Sequence, residues 1–308
     1  MKRVLVTGGA GFIGANLIRS LGSDFEVTVI DNLQSGAKQN LDGLDIKLIE
    51  ADVCSFDFST LAQQDEIYHL ACVASPPQYQ AQPLATLASC FLGTQRVLDF
   101  ALQHNSKVVF TSTSEVYGDP LESPQAESYY GNVNPLSKRA CYDEGKRVAE
   151  TLCFEYYSLG LEVKIARVFN TFGPYMSAND GRVVANFINQ ALQGQPLTIY
   201  GDGKQTRSLI YVDDTITALR RLMALNTPSL CLVNVGNAQE KTVLQLALDI
   251  KSTINSQLPL TYLALPEADP KRRRPCLKKS NALLGKYQTT SWQQGLQNTI
   301  AYFSKLFG

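Results

Sequence analysis

The sequence predicts an α/β protein, a doubly wound parallel sheet joined to a smaller C-terminal domain. Three observations predict it. Short, almost continuously apolar runs alternate with helix-like stretches through the first half, as buried parallel strands and their crossover helices do. A glycine-rich turn follows the first of those runs. After about residue 172 the alternation breaks into shorter helices and loops rich in Gly and Pro, so the expected division is 1–172, with a return segment near 206–237, against an interleaved 173–308.

The expected strands are RVLVT (3–7), EVTVID (26–31), DIKLIEAD (45–52), EIYHLA (66–71), KVVFTS (107–112) and EVKIARVF (162–169). Between them FIGANLIRSL and GTQRVLDFALQH carry helical apolar spacing. Asn134 followed by Pro135 reads as an N-cap and first helical residue, with the helix running to about Gly160. Beyond residue 172, RVVANFINQALQG, VLQLALDIKSTI and WQQGLQNTIAYF read as shorter helices. No internal repeat or low-complexity tract interrupts the chain.

The 308 residues balance 28 Lys+Arg against 28 Asp+Glu, so no bulk charge draws the chain to nucleic acid or an anionic membrane. An anionic ligand must be held by a local site. Seven cysteines form no CxxC and only two histidines are present, so no metal site is expected, and the odd count favours free thiols in a reducing compartment. No apolar run approaches the roughly 18 residues of a membrane span. MKRVLVTGG enters a strand pattern directly, without a signal peptide, and the expected location is cytoplasmic.

VTGGAGFIG supplies the first chemistry. Gly9, Gly11 and Gly14 fit GxGxxG, and Gly8, Gly11 and Gly14 fit GxxGxxG. Placed between a strand and a helix, such glycines let backbone N–H groups approach a pyrophosphate, the Rossmann-like arrangement. Asp31, twenty residues past Gly11 at the end of the second strand, is positioned to accept hydrogen bonds from a ribose and to repel a 2′-phosphate. The expected cofactor is therefore NAD rather than NADP. Asp52 and Val53, after the third strand, are expected beside the adenine.

Tyr142 and Lys146 stand four apart in ACYDEGKRVAET and share one helix face. A free tyrosine, with a pKa near 10, is a poor base. An ammonium within about 6 Å favours the phenolate by roughly 1–3 pKa units. The pair is thus a candidate proton-transfer couple.

GxxGxxG, a Ser/Thr after the fifth strand and YxxxK together resemble the extended short-chain dehydrogenase/reductase family. STSEVYGDP (112–120), YYGNVNP (129–135), FNTFGP (169–174), DGRVVANFI (180–188) and DPKRRRP (269–275) are similar to its UDP-glucuronate decarboxylase (UDP-xylose synthase) branch. The likeness runs in order along essentially the whole chain. It implies NAD contacts from Phe12 and Ile13 in the loop, from Asn32, Ser35 and Gly36 after Asp31, from Leu70 and Cys72 after the fourth strand, and from Thr171 and Arg182. It implies Tyr142, Lys146, Thr113, Glu115 and Arg273 as catalytic residues. Ser114, Asn170, Tyr200, Arg207 and Arg273 are implied to meet a UDP-sugar, in the smaller domain and along its border.

The triplet Thr113–Ser114–Glu115 discriminates within the family. Related 4,6-dehydratases carry Asp where this chain has Ser114, because a leaving hydroxyl must be protonated, and 4-epimerases usually lack the Glu. The resemblance therefore implies oxidation at C4, loss of CO2 and re-reduction, Glu115 being an acid/base or water-orienting group near C5. Release of a 4-keto-pentose with NADH, another nucleotide sugar, and a non-catalytic NAD(H)-binding role stay open. Ala88 and Cys90 stand where the family has Lys and Asn, and Cys276 where it has Asp. A homodimer through the Tyr142 helix and the segment near 84–104, packed as a four-helix bundle, is also implied.

Overall fold

The computed structural model describes residues 1–227, 229–264 and 272–307. Its centre is a seven-stranded parallel sheet. Six strands are β1 (Lys2–Thr7), β2 (Phe25–Asp31), β3 (Lys47–Glu50), β4 (Glu66–His69), β5 (Lys107–Thr113) and β6 (Val163–Val168). The seventh, Cys231–Val235, returns from the C-terminal half to pair with β6. From one edge the order is β3-β2-β1-β4-β5-β6 and then the return strand, all parallel. Order reverses between β1 and β4, the place where open α/β sheets form their ligand crevice.

Side-chain alternation explains why both faces are covered. Val4 and Val6 face one core with α1 (Phe12–Leu21), whereas Leu5, Ile67, Val108 and Phe110 face the other. Each such side chain removed from water contributes roughly 1.5–3 kcal/mol, so a one-residue slip in register would expose an entire row. After β4 come the short helices α2 (Pro76–Ala81) and α3 (Pro83–Ala88), then a π-helical turn at Ser89–Gly93 leading into α4 (Thr94–His104). The long helix α5 (Ala140–Ser158) packs beside α4 on the second face.

The helix expected from Asn134 begins at Ala140 instead. Asn134 does cap, but it caps a separate turn: its Oδ1 accepts from Leu136 N at 3.0 Å and its carbonyl from Ser137 N at 3.1 Å. That turn absorbs the cap and resets the backbone before Arg139. The other end falls near expectation, at Ser158, with Gly160 at φ +101°.

The later helices are α6 (Val183–Leu192), α7 (Val212–Ala224), α8 (Val243–Ile254), α9 (Lys278–Leu284) and α10 (Trp292–Phe307). Helix α7 covers the first face of the sheet beside α1. A small sheet sets Thr206–Ser208 between Glu240–Thr242 and Arg272–Arg273, and its register brings Arg273 opposite Arg207. Ser75 Oγ donates to Asp180 O at 2.7 Å, and Asn16 Nδ2 to Pro174 O at 2.9 Å, stitching the later segments to the sheet's carboxyl edge.

Candidate active site

A cavity of about 1730 Å³ opens where β1 to β6 end, and the residues named above for the cofactor, the reaction and the sugar nucleotide line it, Gly9 excepted. The glycine turn forms one wall. Gly8 takes φ +73°, and a Cβ there would lie 2.8 Å from Ala71 N. At Gly14 a Cβ would lie 2.5 Å from Gly8 O, so the first turn of α1 abuts the loop as only glycine allows. Phe12 and Ile13 follow at the start of α1, with Ser35 and Gly36 across from them.

Asp31 ends β2, buried, with Oδ2 accepting from Ala10 N at 2.9 Å and Oδ1 from Leu33 N at 2.8 Å. Burial raises its pKa while these two donors oppose the shift. A carboxylate has about four acceptor positions, so two bonds leave room for ribose hydroxyls. Asn32 Nδ2 donates to Asp52 Oδ2 at 3.0 Å, and Asp52 Oδ1 accepts from Cys54 N at 2.8 Å. Val53 is buried beside them, and Leu70 and Cys72 continue the wall. A glycine cradle too tight for any Cβ, followed by a carboxylate with spare acceptors, suits a dinucleotide.

The proton-transfer couple lies deeper. Helix α5 buries both Tyr142 and Lys146. The Lys146 Nζ donates to Thr111 O at 2.9 Å and sits 6.0 Å from the Tyr142 ring centre. Contrary to the expected lowering, the Tyr142 phenol is pushed well above its ordinary range, chiefly by burial, then by the Cys72 and Cys90 sulfurs, with a Thr113 hydrogen bond acting the other way. Exclusion of water outweighs the attraction of an ammonium that is itself tied to the backbone. Tyr79, from the SPPQY segment, stacks on Tyr142 with centres 5.1 Å apart and planes 6° apart. Nothing in the spacing of the sequence indicated that partner.

Glu115 forms the third part. It follows the Thr113 cap of a short 3-10 turn, in which Glu115 N donates to Thr113 Oγ1 at 3.2 Å. Its carboxylate is gripped by Arg273 Nη1, by Arg273 Nη2 at 2.8 Å, and by Arg139 Nη2. Despite burial, the two guanidiniums hold its pKa down to about 2. Glu115 is therefore an anion across the physiological range, suited to orienting Arg273 rather than to exchanging a proton. Arg273 also donates to Ser114 Oγ at 3.3 Å and Gly118 O at 3.2 Å.

Arg139 and Asp143 were missed in the sequence. Arg139 stands three residues before Tyr142, a spacing of about one helical turn that could have marked it. Asp143 is buried, its pKa pushed up to about 7 by burial and then by the Glu115 charge, and its Oδ1 has no partner among the described residues. Of the basic motif 269–275, residues 269–271 lie outside the described residues.

Asn170, Tyr200 and Arg207 also line the cavity, Tyr200 being 40% exposed. The Thr171 hydroxyl donates to Phe169 O at 3.0 Å and lies 3.2 Å from Thr215 Oγ1, on the cavity wall. Arg182 pairs with Asp180 through two nitrogens beside Phe12. Among the described residues no group of three or more His, Cys, Asp or Glu could hold a metal.

Comparison with known proteins agrees with this geometry. Residues 4–236 match the NAD dependent epimerase/dehydratase family. UDP-glucuronic acid decarboxylase 1 of Xenopus tropicalis is 47% identical over 310 residues, covering 99% of this chain and 72% of the relative. UDP-glucuronic acid decarboxylase 4 of Arabidopsis thaliana is 44% identical over 99% of this chain and 70% of its own length. Among solved structures, UDP-glucuronic acid 4-epimerase from Bacillus cereus in complex with UDP-glucuronic acid and NAD superposes with a TM-score of 0.87 at 28% identity, covering 99% of both chains.

Proposed function

From the premise that this chain belongs to the NAD dependent epimerase/dehydratase family, we propose that it is an NAD-dependent UDP-glucuronate decarboxylase whose product is UDP-xylose. The observation that carries the reading is the Thr113–Ser114–Glu115 turn, standing in one cavity with Tyr142, Lys146 and a dinucleotide-shaped glycine cradle.

When bound, NAD supplies the hydride acceptor and donor that make oxidation at the sugar C4 reversible. Tyr142 takes the proton of the 4-hydroxyl, and Thr113 hydrogen-bonds the same oxygen. Lys146 holds the phenolate and the nicotinamide ribose, turning a phenol that burial keeps protonated into a base only when the site is assembled. Oxidation makes the C6 carboxylate a β-keto acid. The C5–C6 bond then breaks, CO2 leaves, and the electron pair moves toward the C4 oxygen, which Tyr142 and Thr113 stabilise as it becomes negative. C5 then takes up a proton, C4 is reduced again, and Tyr142 returns its proton to the 4-oxygen. Ser114 suffices where a dehydratase needs an acid, since CO2 departs without a proton. Arg273, clamped by Glu115, meets the reacting end of the sugar, while Asn170, Arg207 and Tyr200 meet the UDP.

The C-terminal segments 173–308 form the sugar-nucleotide side, and 1–172 with the return segment 206–237 the NAD side. The active form is a homodimer. Leu84, Leu87, Phe91 and Leu92 on one segment and Val148 and Phe154 on α5 are exposed apolar side chains that support a shared four-helix bundle. A cytoplasmic location is consistent with the free cysteines and with the absence, among the described residues, of a helix long and apolar enough to cross a membrane.

The test is to mix protein, NAD+ and UDP-glucuronate, follow absorbance at 340 nm, and weigh the sugar nucleotides by mass spectrometry. Loss of CO2 without net NADH is the expected result. Loss of CO2 with stoichiometric NADH would mean a 4-keto-pentose product. An unchanged substrate would reject UDP-glucuronate and turn attention to Ala88 and Cys90.

A further inference from the structure

Three of the seven cysteines surround the catalytic tyrosine, and two of them touch. Cys72 follows β4 on the cavity wall, and Cys90 sits in the π-helical turn before α4. Their sulfurs are 3.3 Å apart. Cys90 is buried against α5 at Gly145, the neighbour of Lys146, where a Cβ would come within 3.0 Å of its sulfur. The absence of a side chain at Gly145 is what admits it. Cys141, the third thiol, is occupied with Tyr79 O at 3.7 Å.

The two thiols are unequal. The Cys90 hydrogen bond and the Lys146 ammonium bring the Cys72 pKa down to about 7 against the effect of burial, while that of Cys90 is pushed well above its ordinary value. Cys72 is thus the more acidic of the two, and Cys90 is a thiol in contact with it. A low-pKa cysteine at an open wall with a resolving partner in reach is the arrangement that reacts with peroxides.

We propose that Cys72 and Cys90 form an oxidisable dithiol site in the cofactor pocket, which a hydroperoxide closes to a disulfide and which bound dinucleotide shields. The Cys72 thiolate attacks the peroxide, breaking the O–O bond; one oxygen stays as the sulfenic acid and the other leaves as hydroxide, which is protonated to water. Cys90 sulfur then attacks the Cys72 sulfur, the S–S bond forms, the S–O bond breaks, and the departing hydroxide takes the Cys90 proton as a second water. Two thiol sulfurs are oxidised and the two peroxide oxygens reduced. The sulfurs must close from 3.3 Å to about 2.05 Å. The π-helical turn, a wider-wound stretch of helix, is where that adjustment would fall. The new bond would remove the negative charge beside Tyr142 and draw together the wall that Leu70 and Cys72 form.

The shielding clause rests on the cofactor reading above, whereas the linkage itself does not. The whole protein is treated with hydrogen peroxide, alkylated and peptide-mapped, with and without NAD+, whose binding is measured calorimetrically on the same samples. The expected product is a peptide joining Cys72 to Cys90, two hydrogens lighter and separated by dithiothreitol. At NAD+ ten times its Kd about one site in eleven is free, so linkage should slow about tenfold. Cys90→Ser should yield no link and a Cys72 sulfenic acid trapped by dimedone, and Cys72→Ser should leave Cys90 unreacted. Both thiols remaining fully alkylatable in folded protein while other cysteines oxidise would overturn the proposal. So would linkage at an unchanged rate with NAD+ shown to be bound. A protein that binds no NAD+ would instead overturn the cofactor reading, and the shielding with it, even where the link forms.

Discussion

Tyr142 carries the sharpest prediction at the scale of single residues. Tyr142→Phe keeps the ring that stacks on Tyr79 and removes only the oxygen. Decarboxylation should fall by about 10²–10⁴-fold, the usual worth of a positioned acid–base group, with NAD+ binding retained. Calorimetry beside a coupled CO2 assay checks both. Glu115 and Asp143 make opposite predictions about stability. Glu115 is held at a pKa of about 2 from an ordinary 4.5, so its contribution is complete above pH 4.5 and is lost as pH falls toward 2. Asp143 runs the other way: its pKa is raised from 3.8 to about 7, so the native state binds the extra proton and stability declines as pH rises through that interval. Asp143→Asn should therefore flatten the decline between about pH 4 and 7 in urea melts, leaving the acid limb due to Glu115 in place. Tyr142 and Lys146 were legible because four-residue spacing on a helix is a local property. Tyr79 and Asp143 were not: an aromatic stack and a buried charge cluster depend on which distant segments meet.

Elements tell a similar story with different failures. The glycine turn and α1 fall where the pattern put them, because a strand, a tight turn and an amphipathic helix are each specified within a dozen residues. Gly14→Ala would drive a Cβ to 2.5 Å from Gly8 O and 2.6 Å from Gly9 Cα, both backbone atoms that cannot swing aside. It should destabilise the fold by roughly 1–3 kcal/mol, the common cost of overpacking, and weaken NAD+ binding, read from thermal melts and titration calorimetry. The expected start of α5 was wrong by five residues for a physical reason. Asn-Pro signals a turn as readily as a helix, and here Asn134 caps a turn that ends before Arg139. The resulting entry into α5 sets Arg139 against Glu115, a contact that a helix begun at Pro135 gave no reason to expect.

For the whole molecule, the exposed apolar stripe on α3, the π-helical turn and α5 is the feature with a consequence. Leu84 is 80% exposed and Phe154 51%. If those faces meet in a homodimer, Leu84→Glu together with Phe154→Glu should yield a monomer in sedimentation velocity at concentrations where the parent chain is dimeric; a monomeric parent chain would remove the dimer from the account. The sheet order places the glycine loop, Asp31, Thr113 and Asn170 on one edge although they span well over a hundred residues, because parallel strands joined by crossover helices all end on the same side.

The sequence by itself determined the strand–helix alternation, the glycine cradle, the NAD-favouring Asp31 and the Tyr142–Lys146 pair, since each is written in spacing or residue type along a continuous stretch. The family resemblance added the Thr113–Ser114–Glu115 turn and Arg273. Only the tertiary structure decided that Glu115 is an anion held by Arg139 and Arg273, that Tyr142 is buried under Tyr79, and that Cys72 meets Cys90. Those outcomes depend on desolvation and on charges brought together from segments far apart in the chain, and neither burial nor a distant neighbour's field has a local signature in the order of residues.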